Sequence, residues 1–309
     1  MLTPRDYDHK IARHLVGEVS VTILGTAQDG GFPQLGCQKN CCTGELAKTH
    51  QRFPVSLGIT GKDGSYHLVE ASRMMPQQFQ VWEQHLGHYP PVPNSISLTH
   101  AHLGHVDGLG LLGKEVMGVS GVNVHCSESV SQFINRTPAY AALVEQGVIS
   151  LSIWNEREAY SPSSECGFSV RPIEIPHRSE FSDCHALVIE GDGVNLLFMP
   201  DHDSWSETLI RQSIRDWLSR LNVDIVLLDG TFWSADEIPH RDMNEIPHPP
   251  VTETLERLGP KRQGDPEILF LHLNHTNPLC NPKSKQCEDV HSSGWSVANE
   301  GDSFTLERL

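Results

Sequence analysis

No stretch of this 309-residue chain approaches the roughly 20 consecutive apolar residues that cross a bilayer, so no membrane partner is expected. The opening residues, MLTPRDYDHKIARHLVGE, lack the apolar core of a secretory signal, and the expected location is the cytoplasm. Basic residues are scarce. Twenty-three Lys and Arg against 39 Asp and Glu leave a net charge of −16, which argues against a general nucleic-acid surface built on phosphate neutralisation. No linker or low-complexity segment divides the chain. One domain over residues 1–309 is expected, with a polar lead-in and a short helix within the first 17. A regular cysteine framework is also missing. Cys37, Cys41 and Cys42 fall within six residues, and the other five cysteines are scattered. In a reducing compartment such clustering suggests metal binding rather than disulfides.

Histidine, by contrast, is plentiful, with 18 residues. The stretch Ser95–Gly110, SISLTHAHLGHVDGLG, begins as a short apolar run and breaks at Thr99. Residues two apart on an extended chain share a face, so His100 and His102 point to one side. His105 can join them from the first turn of a following helix. Imidazole is the commonest protein ligand for zinc, iron and manganese, and three in six residues at a strand end read as half of a metal site.

Apolar patterning predicts strands at Val19–Gly25, Val55–Thr60, Tyr66–Glu70, Ser95–Thr99, Val122–His125, Val148–Ile153, Phe168–Ile175, Ala186–Glu190, Asn195–Met199, Asp224–Leu228 and Ile268–Leu273. Ser293–Asn299 and Ser303–Glu307 close the chain. Helices are predicted over Pro76–Leu86, Leu109–Val119, Ser129–Gln146 with a break at Pro138, Ser204–Leu221 and Thr252–Leu258. Strands in runs, with helices between and after them, give an α/β protein of αββα sandwich type. His177, Asp201 and Asp229 end predicted strands and His272 lies within one. Strand ends in layered α/β folds converge on one edge, where sites are built. With His100 and His102 these residues form a His/Asp set suited to one or two hydrolytic metals.

The series GTAQDGG, HAHLGH, His177, Asp201 and LHLNH resembles the metallo-β-lactamase fold superfamily over nearly the whole chain. GGFPQ with its clustered cysteines, VLLDGTFW and LHLNHTNPLCNP resemble the coenzyme PQQ biosynthesis protein B family. The D-G-T-F block, His248-Pro-Pro and L-H-L-N-H resemble the tRNA 3′-processing endonucleases. The cyclic phosphodiesterase of the carbon–phosphorus lyase pathway is similar as well, cysteine cluster included. The resemblance implies that His100, His102 and His177 hold a first metal, that Asp201 bridges to a second, and that His105 and His272 complete the second. The usual pattern is His-x-His-x-Asp-His, and Gly104 stands where its aspartate belongs. The second position is therefore expected to be short of a carboxylate and weak, unless Asp29 or Asp107 replaces it. The PQQ branch lacks several of these histidines and the bridging aspartate, so this chain keeps a more complete hydrolase set.

A divalent metal with an open position lowers the pKa of its water to about 7 and so supplies hydroxide at neutral pH. The expected cofactor is Zn, Mn or Fe. Asp201 is a candidate both to hold metal and to orient that water. The resemblance to the tRNA-processing enzymes casts Asp229 and His248 as a carboxylate–imidazole unit that protonates a leaving oxygen. Cys37, Cys41, Cys42 and His275 would form a tetrahedral structural zinc site, with Cys41 or Cys42 as a spectator. The expected function is hydrolysis of a phosphodiester or other ester-like bond in a small molecule. The alternatives are an iron-dependent oxygenase acting on an amino acid or peptide in cofactor biosynthesis, and a non-catalytic metal-binding protein. The expected assembly is a homodimer.

Overall fold

The computed structural model describes residues 17–155, 158–239 and 246–308. The short helix expected ahead of residue 17 lies outside them. Among the described residues, thirteen strands form two sheets. The first contains β1 (Ser20–Gly25), β2 (Ser56–Thr60), β3 (Tyr66–Val69), β4 (Ser95–Ser97), β5 (Val122–Cys126), β6 (Ile149–Ile153) and β13 (Ser303–Thr305). The second contains β7 (Ser169–Glu174), β8 (His185–Glu190), β9 (Asn195–Met199), β10 (Ile225–Asp229), β11 (Glu267–Leu271) and β12 (Ser296–Val297). Their orders are β13-β1-β2-β3-β4-β5-β6 and β12-β11-β10-β9-β8-β7. Strands β3 to β6 pair in parallel, as do β9 to β12.

Period-two alternation sorts each strand's side chains into separate cores. Leu196, Phe198, Ile225 and Leu227 join Val21, Ile23, Leu57 and Ile59 in a layer between the two sheets. Their neighbours Leu197, Met199, Val226 and Leu228 pack outward with Trp205, Trp217 and Leu218. On the other side, Leu68, Ile96 and Val124 pack outward with Phe79, Trp82, Val130 and Ile134. Helices Met75–Leu86, Glu128–Arg136 and Pro138–Glu145 thus cover the first sheet, and Ile214–Leu221 and Val251–Leu258 the second. The result is the expected αββα sandwich. Among the described residues no helix is long and apolar enough to cross a membrane.

Four local expectations need correction. Leu109–Val119 is not a helix. A four-residue helix, Leu103–Val106, runs into a 3-10 turn at Asp107–Leu112, where four glycines between 108 and 118 weaken helical continuation. Ser204–Leu221 is two helices, Trp205–Leu209 and Ile214–Leu221. Ile210 and Arg211 take positive φ between them, and a capping box from Ser213 to Asp216 starts the second. The last buried strand stops at Leu271, leaving His272 just beyond it at φ 60°. The segment before β12 holds an unanticipated helix, Lys285–Ser292, capped by Ser284.

Candidate metal centre

The C-terminal ends of β1, β4, β7, β9, β10 and β11 meet at one edge, and each delivers a polar residue there. His100 and His102 follow β4, and His105 lies on the helix Leu103–Val106. Backbone bonds from Asp203 to Pro176 (2.8 Å) and from Asn274 to Thr231 (3.0 Å) lock the second sheet's loops together.

His100, His102 and His177 form one convergent group. His100 Nε2 and His177 Nε2 lie 2.9 and 3.2 Å from His102 Nδ1. Asp201 Oδ1 is 3.7 Å from His177 Nε2. A second group unites His105 and His272 with Asp29. Asp201 Oδ2 stands 3.3 Å from both His105 Nε2 and His272 Nε2. Ligands bound at about 2.0–2.1 Å on a tetrahedral ion stand roughly 3.3–3.4 Å apart, close to these spacings. The donors also fit an ion chemically. Asp201 Oδ2 and His272 Nε2 are buried with no hydrogen-bond partner among the described residues, and such orphaned atoms cost stability unless a cation meets them.

Outer partners fix each imidazole. His177 Nδ1 donates to Asp203 (2.7 Å), and His102 Nε2 to Glu180 (3.0 Å). His272 Nδ1 lies 2.7 Å from Thr231 Oγ1, whose hydroxyl donates to Asp229. His100 Nδ1 lies 2.9 Å from Thr99 Oγ1, which donates to Glu70. Each ring thus turns one nitrogen to a protein partner and the other to the centre. Glu70 (φ 66°) and His272 (φ 60°) hold a left-handed backbone that side chains rarely adopt, a strain of about 1–3 kcal/mol each.

The charges agree with this arrangement. Burial favours neutral Asp29 and Asp201, but the facing imidazoles outweigh it and hold both carboxyls below their usual range. Burial, reinforced by neighbouring imidazoles, keeps His100 well below the usual histidine range. His105 goes the other way. Burial opposes its charge, yet Glu70, Asp201 and Asp29 raise it well above the usual value. That concentration of carboxylates attracts a cation of either kind, proton or metal.

Asp229 Oδ2 accepts from His248 Nδ1 at 2.7 Å, and both side chains are buried. Burial disfavours the imidazolium, but Asp229 raises the His248 pKa above its ordinary value. Cys37, Cys41, Cys42 and His275 converge as a separate group. His275 Nδ1 is 3.4 Å from Cys41 Sγ and 3.3 Å from Cys42 Sγ, so the structure brings both adjacent cysteines to the histidine. The amides of Lys39 and Gln34 point at Cys37 and Cys42 sulfurs and would support thiolates. Burial, with the neighbouring thiols, pushes Cys42 up to about 12, a cost that a dication would offset.

A cavity of about 620 Å³ is lined by His102, His248 and Asp29 of the His/Asp centre and by His275 of the cysteine group, with Lys39. Arg178 also lines it, with a buried Nε that has no partner among the described residues. Asp107 faces Arg73 and Tyr140 instead. His202 packs on Trp205 and joins neither metal group. Asp203 stands beside the site as a neighbouring polar residue, as its sequence position suggests, whereas Glu70, Thr231 and Arg178 were not among the expected site residues. The available signals were an acid directly closing the apolar run of β3 and polar residues flanking His177 and Asp201.

A family model described as a beta-lactamase superfamily domain matches residues 67–272. Coenzyme PQQ synthesis protein B of Xanthomonas axonopodis pv. citri (strain 306) is 23% identical, covering 93% of this chain and 99% of its own length. The crystal structure of Zn(2+)-bound PqqB from Methylobacterium extorquens is similar at a TM-score of 0.74 and 21% identity, over 92% of this chain and 99% of that one. A diphosphatase from the PhnP family is similar at a TM-score of 0.62 and 16% identity, over 93% and 97%. At these identities the structures bear on the fold alone.

Proposed function

Because this chain belongs to the beta-lactamase superfamily, we propose that it is a metal-dependent hydrolase of a phosphodiester or other ester-like bond in a small molecule. The supporting observation is the juxtaposition of two ligand groups, spanned by Asp201, with the Asp229–His248 pair, beside a cavity that Asp29, His102 and His248 line. Divalent ions held there would supply Lewis acidity and a water that ionises near neutral pH.

The chain's own residues do the rest. Asp201 reaches both groups and sets their spacing. Asp229 fixes the His248 tautomer and favours its protonated form, so Nε2 is placed to donate to a leaving oxygen. Arg178 and Lys39 bring positive charge into the cavity of a chain whose net charge is −16, which suits an anionic ligand. The cavity volume falls within the range of about 300–1,000 Å³ typical of small-molecule sites.

The second reading, an iron-dependent oxygenase, draws on the full-length similarity to coenzyme PQQ synthesis protein B. Elemental analysis of anaerobically purified protein, followed by a bis(p-nitrophenyl) phosphate assay, separates the two. Zinc or manganese beyond the cysteine zinc, with turnover, is the expected result, and His100→Ala/His102→Ala should remove the first ion and the turnover while keeping the cysteine zinc. Iron with oxygen consumption and no hydrolysis would overturn it. Bound metal with no turnover on a substrate panel would favour a non-catalytic metal-binding protein.

A further inference from the structure

Gly104 occupies the position of the carboxylate in the His-x-His-x-Asp-His pattern, and no backbone requirement explains it. It sits in the helix Leu103–Val106, a conformation open to any L-residue. Space explains it. A Cβ built on Gly104 would lie 2.6 Å from Asp29 Cβ and closer still to the Asp29 carboxyl group. Real Cβ atoms essentially never come that near a heavy atom.

We propose that Asp29 supplies the second ion's missing carboxylate from the loop after β1, and that residue 104 is glycine because Asp29 fills its side-chain space. This inference rests on the metal-centre reading but not on the reaction. Asp29 Oδ1 lies 3.4 Å from His105 Nε2 and 3.7 Å from His272 Nε2. Asp201 Oδ2 stands 3.3 Å from the same two atoms, so the two carboxylates address one pair of nitrogens at nearly equal range. The loop is held to this task. Gln28 N donates to Leu273 O (3.0 Å) and Leu273 N to Thr26 O (2.9 Å), so the backbone bonds that place Asp29 also place His272. Gly31 closes the turn at φ +67° with a bond to Gln28 O (2.8 Å). Asp107, the other acid near the pattern, faces Arg73 and Tyr140 and is excluded from the role.

The second position therefore has the anionic ligand count of the complete pattern, supplied from the opposite side. It binds its ion firmly rather than weakly, because affinity follows ligand number and charge.

The test is zinc titration of metal-stripped protein by calorimetry, with elemental stoichiometry after gel filtration and a melting curve for each variant. Wild type should take up two ions beyond the cysteine site. Asp29→Ala should lose one of them, with a weakening beyond the ~10–100-fold that losing an outer-shell partner costs. Asp29→Asn, which keeps the shape, should show the same loss and covers the case in which the alanine variant folds poorly. Gly104→Asp alone should weaken the second ion, since its side chain collides with Asp29. The double variant Asp29→Gly/Gly104→Asp should recover it to within about tenfold of wild type. Retained second-ion affinity in both Asp29 variants, or tighter binding in Gly104→Asp alone, would overturn the exchange. A wild type that binds no zinc beyond the cysteine site would overturn the metal-centre reading itself, and the exchange with it.

Discussion

Asp203 Oδ1 accepts a hydrogen bond from His177 Nδ1 at 2.7 Å, and this bond decides which nitrogen of His177 faces the metal group. Asp203 N is tied in turn to Pro176 O, so the carboxylate cannot drift from the ring it orients. An outer carboxylate of this kind also raises the basicity of the ligand. Asp203→Ala should lower first-ion affinity by about 10–100-fold while sparing the cysteine zinc. Competition against a chromogenic chelator measures this. An affinity equal to wild type would show that the Asp203 bond orients nothing.

If His248 protonates a leaving oxygen, the cost of removing it must depend on how poor that leaving group is. His248→Ala and Asp229→Asn should lower kcat by about 10²–10⁴ on esters with alkoxide leaving groups. p-Nitrophenolate needs little protonation, so loss on that substrate should be at least about tenfold smaller. The alkaline limb of the rate profile should also disappear. Rates are compared per bound ion, because Asp229 reaches the ligand His272 through the Thr231 hydroxyl and its loss also weakens that ion. Equal losses on both substrates would mean that the pair only supports the fold.

The cysteine group ties the loop after β1 to the segment after β11, 233 and 234 positions apart at Cys42 and Cys41. Metal binding that joins such distant segments contributes folding energy directly. Cys37→Ser should remove one zinc per chain and lower the melting temperature by roughly 5–10 °C. Cys41→Ser and Cys42→Ser, measured alongside, identify any spectator as the variant that keeps the ion. Unchanged zinc and an unchanged melt in Cys37→Ser would remove Cys37 from the site.

The features legible in the sequence were those that local spacing controls. Strands β9, β10 and β11 could be read because apolar runs buried on both faces leave little alternative. His100, His102 and His105 could be read because six residues hold all three. The break at Ile210 and Arg211 was hidden, since neither residue signals positive φ and the helical spacing of apolar residues continues across it. His272 reads as part of a strand because its neighbours Leu271 and Leu273 are both apolar, yet the backbone turns between them. The exchange between Asp29 and Gly104 depends on two segments 75 positions apart meeting in space. Sequence marks only the gap at Gly104 and two candidate acids for it, Asp29 and Asp107.

Stability in acid supplies the last prediction, and it turns on His67 and His125, away from the metal groups. Burial pushes both imidazoles down to about 4 from the ordinary 6.5. His67 sits between Ser65 and Ser95 hydroxyls, and His125 stacks on Tyr160 at 4.5 Å. The unfolded chain takes up protons on these residues below about pH 6.5, while the folded chain does so only near 4. Their contribution is therefore complete above 6.5 and is lost as pH falls from 6.5 toward 4, on the order of 3 kcal/mol for each residue. His125→Phe keeps the aromatic stack and removes the titration. Melting curves from pH 7.5 to 4.5 should show wild type losing stability more steeply than His125→Phe below 6.5, with the two converging as the pH falls. Acid release of metal affects both proteins alike, so the difference isolates His125. Parallel curves across that window would mean that His125 is not held neutral by burial.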